Sequence, residues 1–331
     1  MKVLHIGKEG NMERYTVPTP FIQQLEKVSL PNGLDAARYL EAAGDADFII
    51  ADAVAPVTGE LIRGMPNLKL IHSEGVAFNS FDVEAATAQH VYVCNCQGMN
   101  ASAVAEQAVL LMVGMLRNLA NNDAAVRAGR QIVTKEGYMK RGDLRELADC
   151  SVGLVGFGDI AQATAKLLRA YGVEEIYYYK RHPLPQEAER QLGAAYLPLE
   201  ELLSRSGIVS LHLPVSPATI HTADDAFFAR MKQGSYLVNT ARGELVDDEA
   251  MVRALASGRL AMAGLDTLNH EPVQPDHYLL HQPEEISRRL LFSPHIGGIT
   301  ASSFRRGYQM VWEDIQAVAE GRIPRRAVNR W

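Results

Sequence analysis

Runs of consecutive apolar, mostly β-branched residues alternate with stretches of helical periodicity along almost the whole chain. In the first third the runs are KVLHIG, FIIAD, LKLIHS and VYVCN. From residue 151 onward they are SVGLVGFG, EIYYYK, IVSLHLP, SYLVNTA, LAMAGLD and LLFSPH. A strand that is apolar at successive positions is buried on both faces, and helices between such strands make the connections parallel crossovers. Two series of this kind predict two doubly wound α/β domains with parallel sheets. Between them, NASAVAEQAVLLMVGMLRNLANN spaces Val104, Ala108, Leu111, Met112, Met115 and Leu119 for one apolar face. That spacing predicts a single helix, capped by Asn100 and ending at Asn121–Asn122, with its methionines as core filling. A further helix, predicted in SSFRRGYQMVWEDIQAVAEGRIP, returns the chain to the first series. The expected organisation is an outer domain of residues 1–98 and 300–331 around an inserted domain of residues 99–299.

Composition narrows the classes. A chain of 331 residues can bury two cores, and 47% hydrophobic content describes a globular protein rather than a disordered or fibrous one. The net charge of −6 argues against nucleic acid as a partner, which needs a basic face. MKVLHIG enters a strand directly and lacks the pattern of a secretory signal, and no uninterrupted apolar stretch reaches the ~18 residues of a membrane span. Cys94, Cys96 and Cys150 are an odd set that suggests reduced thiols and a cytoplasmic setting. CNC has no second Cys/His pair at metal-ligand spacing, so no metal is expected.

SVGLVGFGDIAQATAKLLRAYG changes the picture. An apolar strand runs into Gly156-Phe157-Gly158-Asp159-Ile160-Ala161 and then into a helix that stops at Gly172. This is the G-x-G-x-x-A turn of dinucleotide sites. The first glycine makes the tight turn, the second lets the backbone approach a pyrophosphate, and the alanine keeps the helix close to the sheet. The next strand ends in Lys180 and Arg181, where a carboxylate would be expected to take the ribose 2′-hydroxyl of NAD. A cationic pair attracts a 2′-phosphate instead, which predicts a preference for NADP over NAD.

Three segments then follow in order, NTARGELVD, GLDTLNHEP and SPHIGG, each at or just after a predicted strand end. Carboxyl ends of parallel strands border the ligand crevice. The segments supply Arg242, whose fork can hold a carboxylate or polarise a carbonyl, and His295, which can carry the proton that accompanies hydride transfer. They also supply Glu271, which can hold the imidazole in one tautomer. Singly, each has an ordinary alternative: a salt-bridge arginine, a solvated glutamate before Pro272, a loop histidine. Order, spacing and placement together favour the catalytic reading.

With these motifs, CQGMNASAVAEQAV, GFGDIA, VSLHLPVSPAT and MKQGSYLVNTARGELVDDEAMVRAL, the chain resembles the D-isomer-specific 2-hydroxyacid dehydrogenase family nearly end to end. The resemblance implies a Rossmann cofactor domain inserted into a flavodoxin-like substrate domain. It implies that Arg242 binds the substrate carboxylate and keto oxygen, that His295 is the general acid/base, and that Glu271 orients it. The backbone at Val76 and Ala77 would receive the substrate carboxylate. Cofactor contacts would fall on Gly156, Phe157, Gly158, Asp159, Ile160, Lys180, Arg181, His212, Pro214, Thr240, Ala241, Asp266 and Gly297, with Asp266 facing the nicotinamide. A homodimer with the 100–120 region in its contact is a further implication.

Departures from the family bear on substrate. GVAFNSFD has Ala77 and Asn79 where many members have glycine and aspartate, and ADAVAPVTGEL lacks the arginine of the phosphoglycerate branch. A small 2-keto acid such as glyoxylate, hydroxypyruvate or pyruvate is expected. The rival is a nucleotide-sensing, corepressor-like interaction protein of the same fold with weak or no turnover.

Overall fold

The computed structural model describes residues 1–331. The chain separates into two compact units, Met1–Asn100 with Ile299–Trp331, and Ala101–Gly298. The first holds β1 (Lys2–Ile6), β2 (Glu26–Leu30), β3 (Phe48–Ala51), β4 (Leu70–Ser73) and β5 (Tyr92–Cys94), in the order β2-β1-β3-β4-β5. The second holds β6 (Val152–Val155), β7 (Ile176–Tyr179), β8 (Ala195–Tyr196), β9 (Ile208–Leu211), β10 (Ser235–Asn239), β11 (Leu260–Leu265) and β12 (Leu290–Phe292), in the order β12-β11-β10-β9-β6-β7-β8. All pairings between these strands are parallel. The first order is that of flavodoxin-like sheets, and the second is the Rossmann order extended by one strand.

Successive apolar residues separate to opposite faces, as the pleat requires. In β3, Ile49 enters one core while Phe48 and Ile50 enter the other; in β10, Leu237 and Val238 divide in the same way. Two strands carry no such signal. β2 and β8 each lie at one edge of their sheets and carry exposed positions, so their sequences mix polar and apolar residues without a continuous run.

The single helix expected over 100–122 is two. Ala101–Leu116 is followed by Leu119–Arg127 with a bend of 58°. Asn118 takes a left-handed conformation, φ 49°, which asparagine tolerates better than most residues. The Asn122 side chain donates to the Arg117 carbonyl that the break releases, at 2.8 Å. The asparagine pair read as a helix end therefore stabilises the start of the next helix. Nor is the first helix apolar on one face only. Residues around most of its circumference are buried, and it lies so close to the sheet that a Cβ on Gly264 would meet the Leu111 Cβ at 3.1 Å. On the helix Asp159–Ala170 the buried face is Ala161, Thr164, Ala165 and Leu168, while Tyr171 beyond it is exposed. No single helix is long and apolar enough to cross a membrane.

In the first unit the helix Ala301–Ala319 packs on the sheet through Tyr308, Val311, Trp312 and Ile315. Beneath it His72, Cys94 and Asp314 meet in the interior. The Asp314 carboxylate accepts from His72 Nε2 at 3.2 Å, Arg326 Nη1 at 3.1 Å and the Arg325 N–H at 2.8 Å. Burial raises its pKa, but these donors outweigh that and hold it below the usual carboxylate value. The cluster is a buried ion-pair network that pins the C-terminal segment.

Candidate active site

His295 and Glu271 meet directly: imidazole Nδ1 lies 2.6 Å from Glu271 Oε2, and both side chains are part-exposed. The histidine sits in a loop after β12 at φ 55°, in the left-handed region. Asp266, buried at the end of β11, holds this loop. Its carboxylate accepts from the backbone N–H of Ile296 at 3.1 Å and of Gly297 at 2.9 Å, and from the Ser293 hydroxyl. Gln107 Nε2 donates to the Ser293 oxygen from the side, at 2.8 Å. Every hydrogen bond made by Asp266 side-chain oxygens goes to the 293–297 loop. Gly297 is needed for contact, since a Cβ there would lie 2.9 Å from Asp266 Oδ2.

Arg242 reaches the same region by a different route. It follows β10 and begins the short turn Gly243–Leu245, and its carbonyl accepts from Asn239 Nδ2 at 2.7 Å. A Cβ on Gly243 would come within 2.0 Å of the Leu268 carbonyl carbon, so the turn rests on the Leu268–Asn269 backbone. Leu268 N–H in turn donates to Glu271 Oε1 at 3.1 Å. A chain of contacts thus runs from the arginine turn through Leu268 to Glu271 and His295. The exposed Arg242 guanidinium touches only the Ala241 carbonyl, at 2.7 Å, and makes no ion pair, so it is no salt-bridge residue. Ala241 N–H is held by Asn239 Oδ1 at 3.0 Å, and Thr240 Oγ1 is buried without a partner.

The glycine turn has the geometry its sequence implies. Gly156 is at φ 94°, and a Cβ there would meet the His212 carbonyl oxygen at 2.5 Å. Over Gly158 a Cβ would meet nothing within 4 Å, and no side chain caps the helix that begins at Asp159. An open, uncapped helix N-terminus is suited to an anion. Phe157 turns inward and stacks on Tyr178 at 4.0 Å, leaving only its backbone at the turn. Asp159 is exposed and Ile160 half-buried. Lys180 and Arg181, at the tip of β7, make no hydrogen bond or ion pair with the protein. His212 bonds Ser210 Oγ at 3.0 Å, and burial holds its imidazole down at about 4, so it is neutral at neutral pH. Pro214 is exposed, and its carbonyl accepts from Thr219 Oγ1 at 2.7 Å. Open space above Gly158, free helix N–H groups and the orphaned Thr240 hydroxyl fit a nicotinamide dinucleotide.

In the other unit, Val76 and Ala77 lie exposed in the loop after β4. Ser73 Oγ donates to the Ala77 carbonyl at 2.7 Å, and Asn95 Nδ2 to that of Val76, also at 2.7 Å.

Residues 109–297 match the model of the D-isomer specific 2-hydroxyacid dehydrogenase NAD binding domain. The chain belongs to this family. It is 34% identical over 295 residues to a glyoxylate reductase of Thermococcus litoralis, covering 88% of this chain and 86% of that one. A hydroxypyruvate reductase of Thermotoga maritima is 32% identical over 285 residues, covering 84% and 87%. Among solved structures, the apo D-mandelate dehydrogenase of Rhodotorula graminis superposes with a TM-score of 0.83 at 27% identity, covering 99% and 97%. As a 2-hydroxyacid dehydrogenase, the protein is an oxidoreductase that moves a hydride between a nicotinamide cofactor and a 2-keto or 2-hydroxy acid.

Sequence reasoning did not single out Asn239, Gly243, Ser293 or Gln107 in this dehydrogenase. All four sit inside motifs already quoted, and the small or amide side chains of the first three at strand ends were a usable signal. Gln107 had none, since its partner lies 186 residues away.

The state of His212 has a pH consequence. Its folded pKa of about 4 lies below the ordinary 6.5, so the unfolded chain binds more protons between these values. Its contribution to stability is complete above about pH 6.5 and is lost as pH falls toward 4. Its imidazole proton resonances should keep their neutral positions at pH 5, and the loss of urea resistance between pH 7 and pH 5 should be smaller in His212→Asn.

Proposed function

We propose that this dehydrogenase reduces a small 2-keto acid, of the glyoxylate, hydroxypyruvate or pyruvate type, to the D-2-hydroxy acid, with NADPH preferred. The observation that carries the reading is the 2.6 Å pair of His295 Nδ1 and Glu271 Oε2. With Nδ1–H held by the carboxylate, Nε2 is the atom left to give a proton to the keto oxygen or, in reverse, to take it from the alcohol. The unpaired Arg242 fork is free to hold the substrate carboxylate and to stabilise charge developing on the keto oxygen. Within the Met1–Asn100 unit, the peptide groups of Val76 and Ala77 are a receptor for a carboxylate. The Gly156–Ile160 turn cradles the pyrophosphate, His212, Pro214, Thr240 and Ala241 line the cofactor, and the cofactor when bound supplies the hydride. Asp266 and Gly297 complete the nicotinamide side by fixing the loop that carries His295.

Names of the relatives support small keto acids. A panel of glyoxylate, hydroxypyruvate, pyruvate and longer 2-keto acids tests this, with His295→Ala expected to lower kcat by about 10²–10⁴-fold on the best substrate. Near-normal turnover in that variant would remove His295 from its role, and cofactor binding without turnover on any keto acid would favour a sensing protein.

The NADPH preference rests on Lys180 and Arg181, which have no partners within the chain and follow β7 where a ribose-binding carboxylate would otherwise stand. The double variant Lys180→Ala/Arg181→Ala should raise the KM for NADPH about tenfold, the scale of one lost charge-assisted contact, and leave that for NADH nearly unchanged. A wild-type KM lower for NADH than for NADPH contradicts the preference.

A cytoplasmic homodimer accompanies this reading. All three cysteines are free. Leu110, Leu119, Val126, Ile132, Val133 and Met139 are exposed on consecutive helices of one unit, apolar positions that a second copy could cover. Light scattering of the purified protein should return twice the mass of one chain.

A further inference from the structure

Three consecutive carbonyls in the loop after β4 are turned into the protein. That of Gly75 accepts from Cys96 N–H at 2.8 Å, that of Val76 from Asn95 Nδ2 at 2.7 Å, and that of Ala77 from Ser73 Oγ at 2.7 Å. The groups that hold them are deeply buried, Ser73 and Cys96 at 0% exposure and Asn95 at 6%. Each of these peptides is trans, the one cis bond of the chain being Glu271–Pro272. In a planar trans peptide the N–H points opposite to the C=O. Fixing the carbonyls of Gly75, Val76 and Ala77 inward therefore turns the N–H groups of Val76, Ala77 and Phe78 outward. None of these three donates to any acceptor in the protein, whereas the preceding Gly75 N–H is taken by Ser73 Oγ at 3.1 Å and Glu74 N–H by the Ala51 carbonyl at 2.8 Å.

The nearest charge has been turned away from this row. Glu74 immediately precedes it, and a carboxylate facing the same way would repel an anion. Its side chain is buried instead against His5 Nε2, at 2.6 Å, and His5 Nδ1 is held by Ser29 Oγ at 2.6 Å. What faces outward is a set of peptide dipoles with the adjacent anion withdrawn. Such successive N–H groups bind anions, and a carboxylate with its two oxygens can take all three.

We propose that the N–H groups of Val76, Ala77 and Phe78 form a three-donor receptor for the substrate carboxylate, with Ser73 and Asn95 as the positioning residues that aim it. This rests on reading the loop as the carboxylate site, and adds to it the third donor and the two side chains that set the donors' direction. Without the Ser73 hydroxyl the Ala77 carbonyl loses its inward anchor, and the peptide that carries Phe78 N–H is free to rotate. Pre-organisation of this kind lowers KM for the acid without touching the cofactor.

The test uses full-length protein with NADPH or NADH bound, and oxamate as a non-reacting carboxylate. With selective ¹⁵N labelling of valine, alanine and phenylalanine, the amide signals of residues 76, 77 and 78 should shift together along one oxamate titration. Ser73→Ala should raise the oxamate Kd and the keto-acid KM about tenfold, with the cofactor Kd within twofold of wild type, and Ser73→Thr should restore both. Asn95→Ala carries the same expectation and serves if Ser73→Ala does not fold. A Phe78 signal that stays in place while the other two saturate overturns the third donor. An unchanged oxamate Kd in folded, cofactor-binding Ser73→Ala and Asn95→Ala overturns the positioning role. A wild-type protein that binds cofactor but no oxamate overturns the carboxylate site itself.

Discussion

The carboxylate of Asp266 decides where the imidazole of His295 can be. A histidine at φ 55° occupies a region that costs a non-glycine residue about 1–2 kcal/mol. Hydrogen bonds from N–H groups to a charged acceptor contribute about 1.5–3 kcal/mol each, and Asp266 collects two from Ile296 and Gly297 and a third donor in Ser293. The balance favours the turned loop. The conformation that projects His295 toward Glu271 is thereby the stable one rather than one of several. Ser293 is itself held by Gln107, so a helix at the start of the same unit takes part in placing His295.

The two units solve related problems with the same material. In one, the space over Gly158 is open and the helix behind it is uncapped, so its first N–H groups face outward, as an anion requires. In the other, the buried donors Cys96, Asn95 and Ser73 hold carbonyls so that the N–H groups behind them face out. Backbone dipoles suit this purpose because their direction is fixed by the fold and cannot be lost by a side-chain rotation. Within each unit the charged side chains have separate tasks. Arg242 is kept free of ion pairs, Glu271 is committed to His295, and Glu74 is withdrawn to His5.

Much of this was legible from residue order. The continuous apolar runs become every strand but β2 and β8, because burial on both faces demands apolar residues at every position. β2 and β8 were silent because they are edge strands with few buried positions, whereas the edge strand β5 is mostly buried and was legible. The bend at Asn118 was missed for another reason. Apolar spacing continues through it, and only the left-handed backbone and the Asn122 side chain, absent from any periodicity, break the helix there. In the site, the glycine turn and the Arg242, Glu271 and His295 segments stood out by their motifs. The direction of Phe157, inward onto Tyr178, did not, because a turn motif records which backbone is needed and not where an intervening side chain packs.

The sequence by itself determined the two parallel sheets, the glycine turn and the segments that carry Arg242, Glu271 and His295. Each of these follows from local rules: burial period, conformational freedom at glycine, and side-chain chemistry. Only the tertiary structure decided that Asp266 grips the 293–297 loop, that Gly243 rests on Leu268, and that three carbonyls after β4 face inward. Those outcomes depend on groups 25 to 31 residues apart in the first two cases, and in Gln107 and Ser293 on groups 186 apart. A hydrogen bond or a close backbone approach between such groups has no periodicity and no fixed spacing. It exists only once the strands that carry them lie side by side.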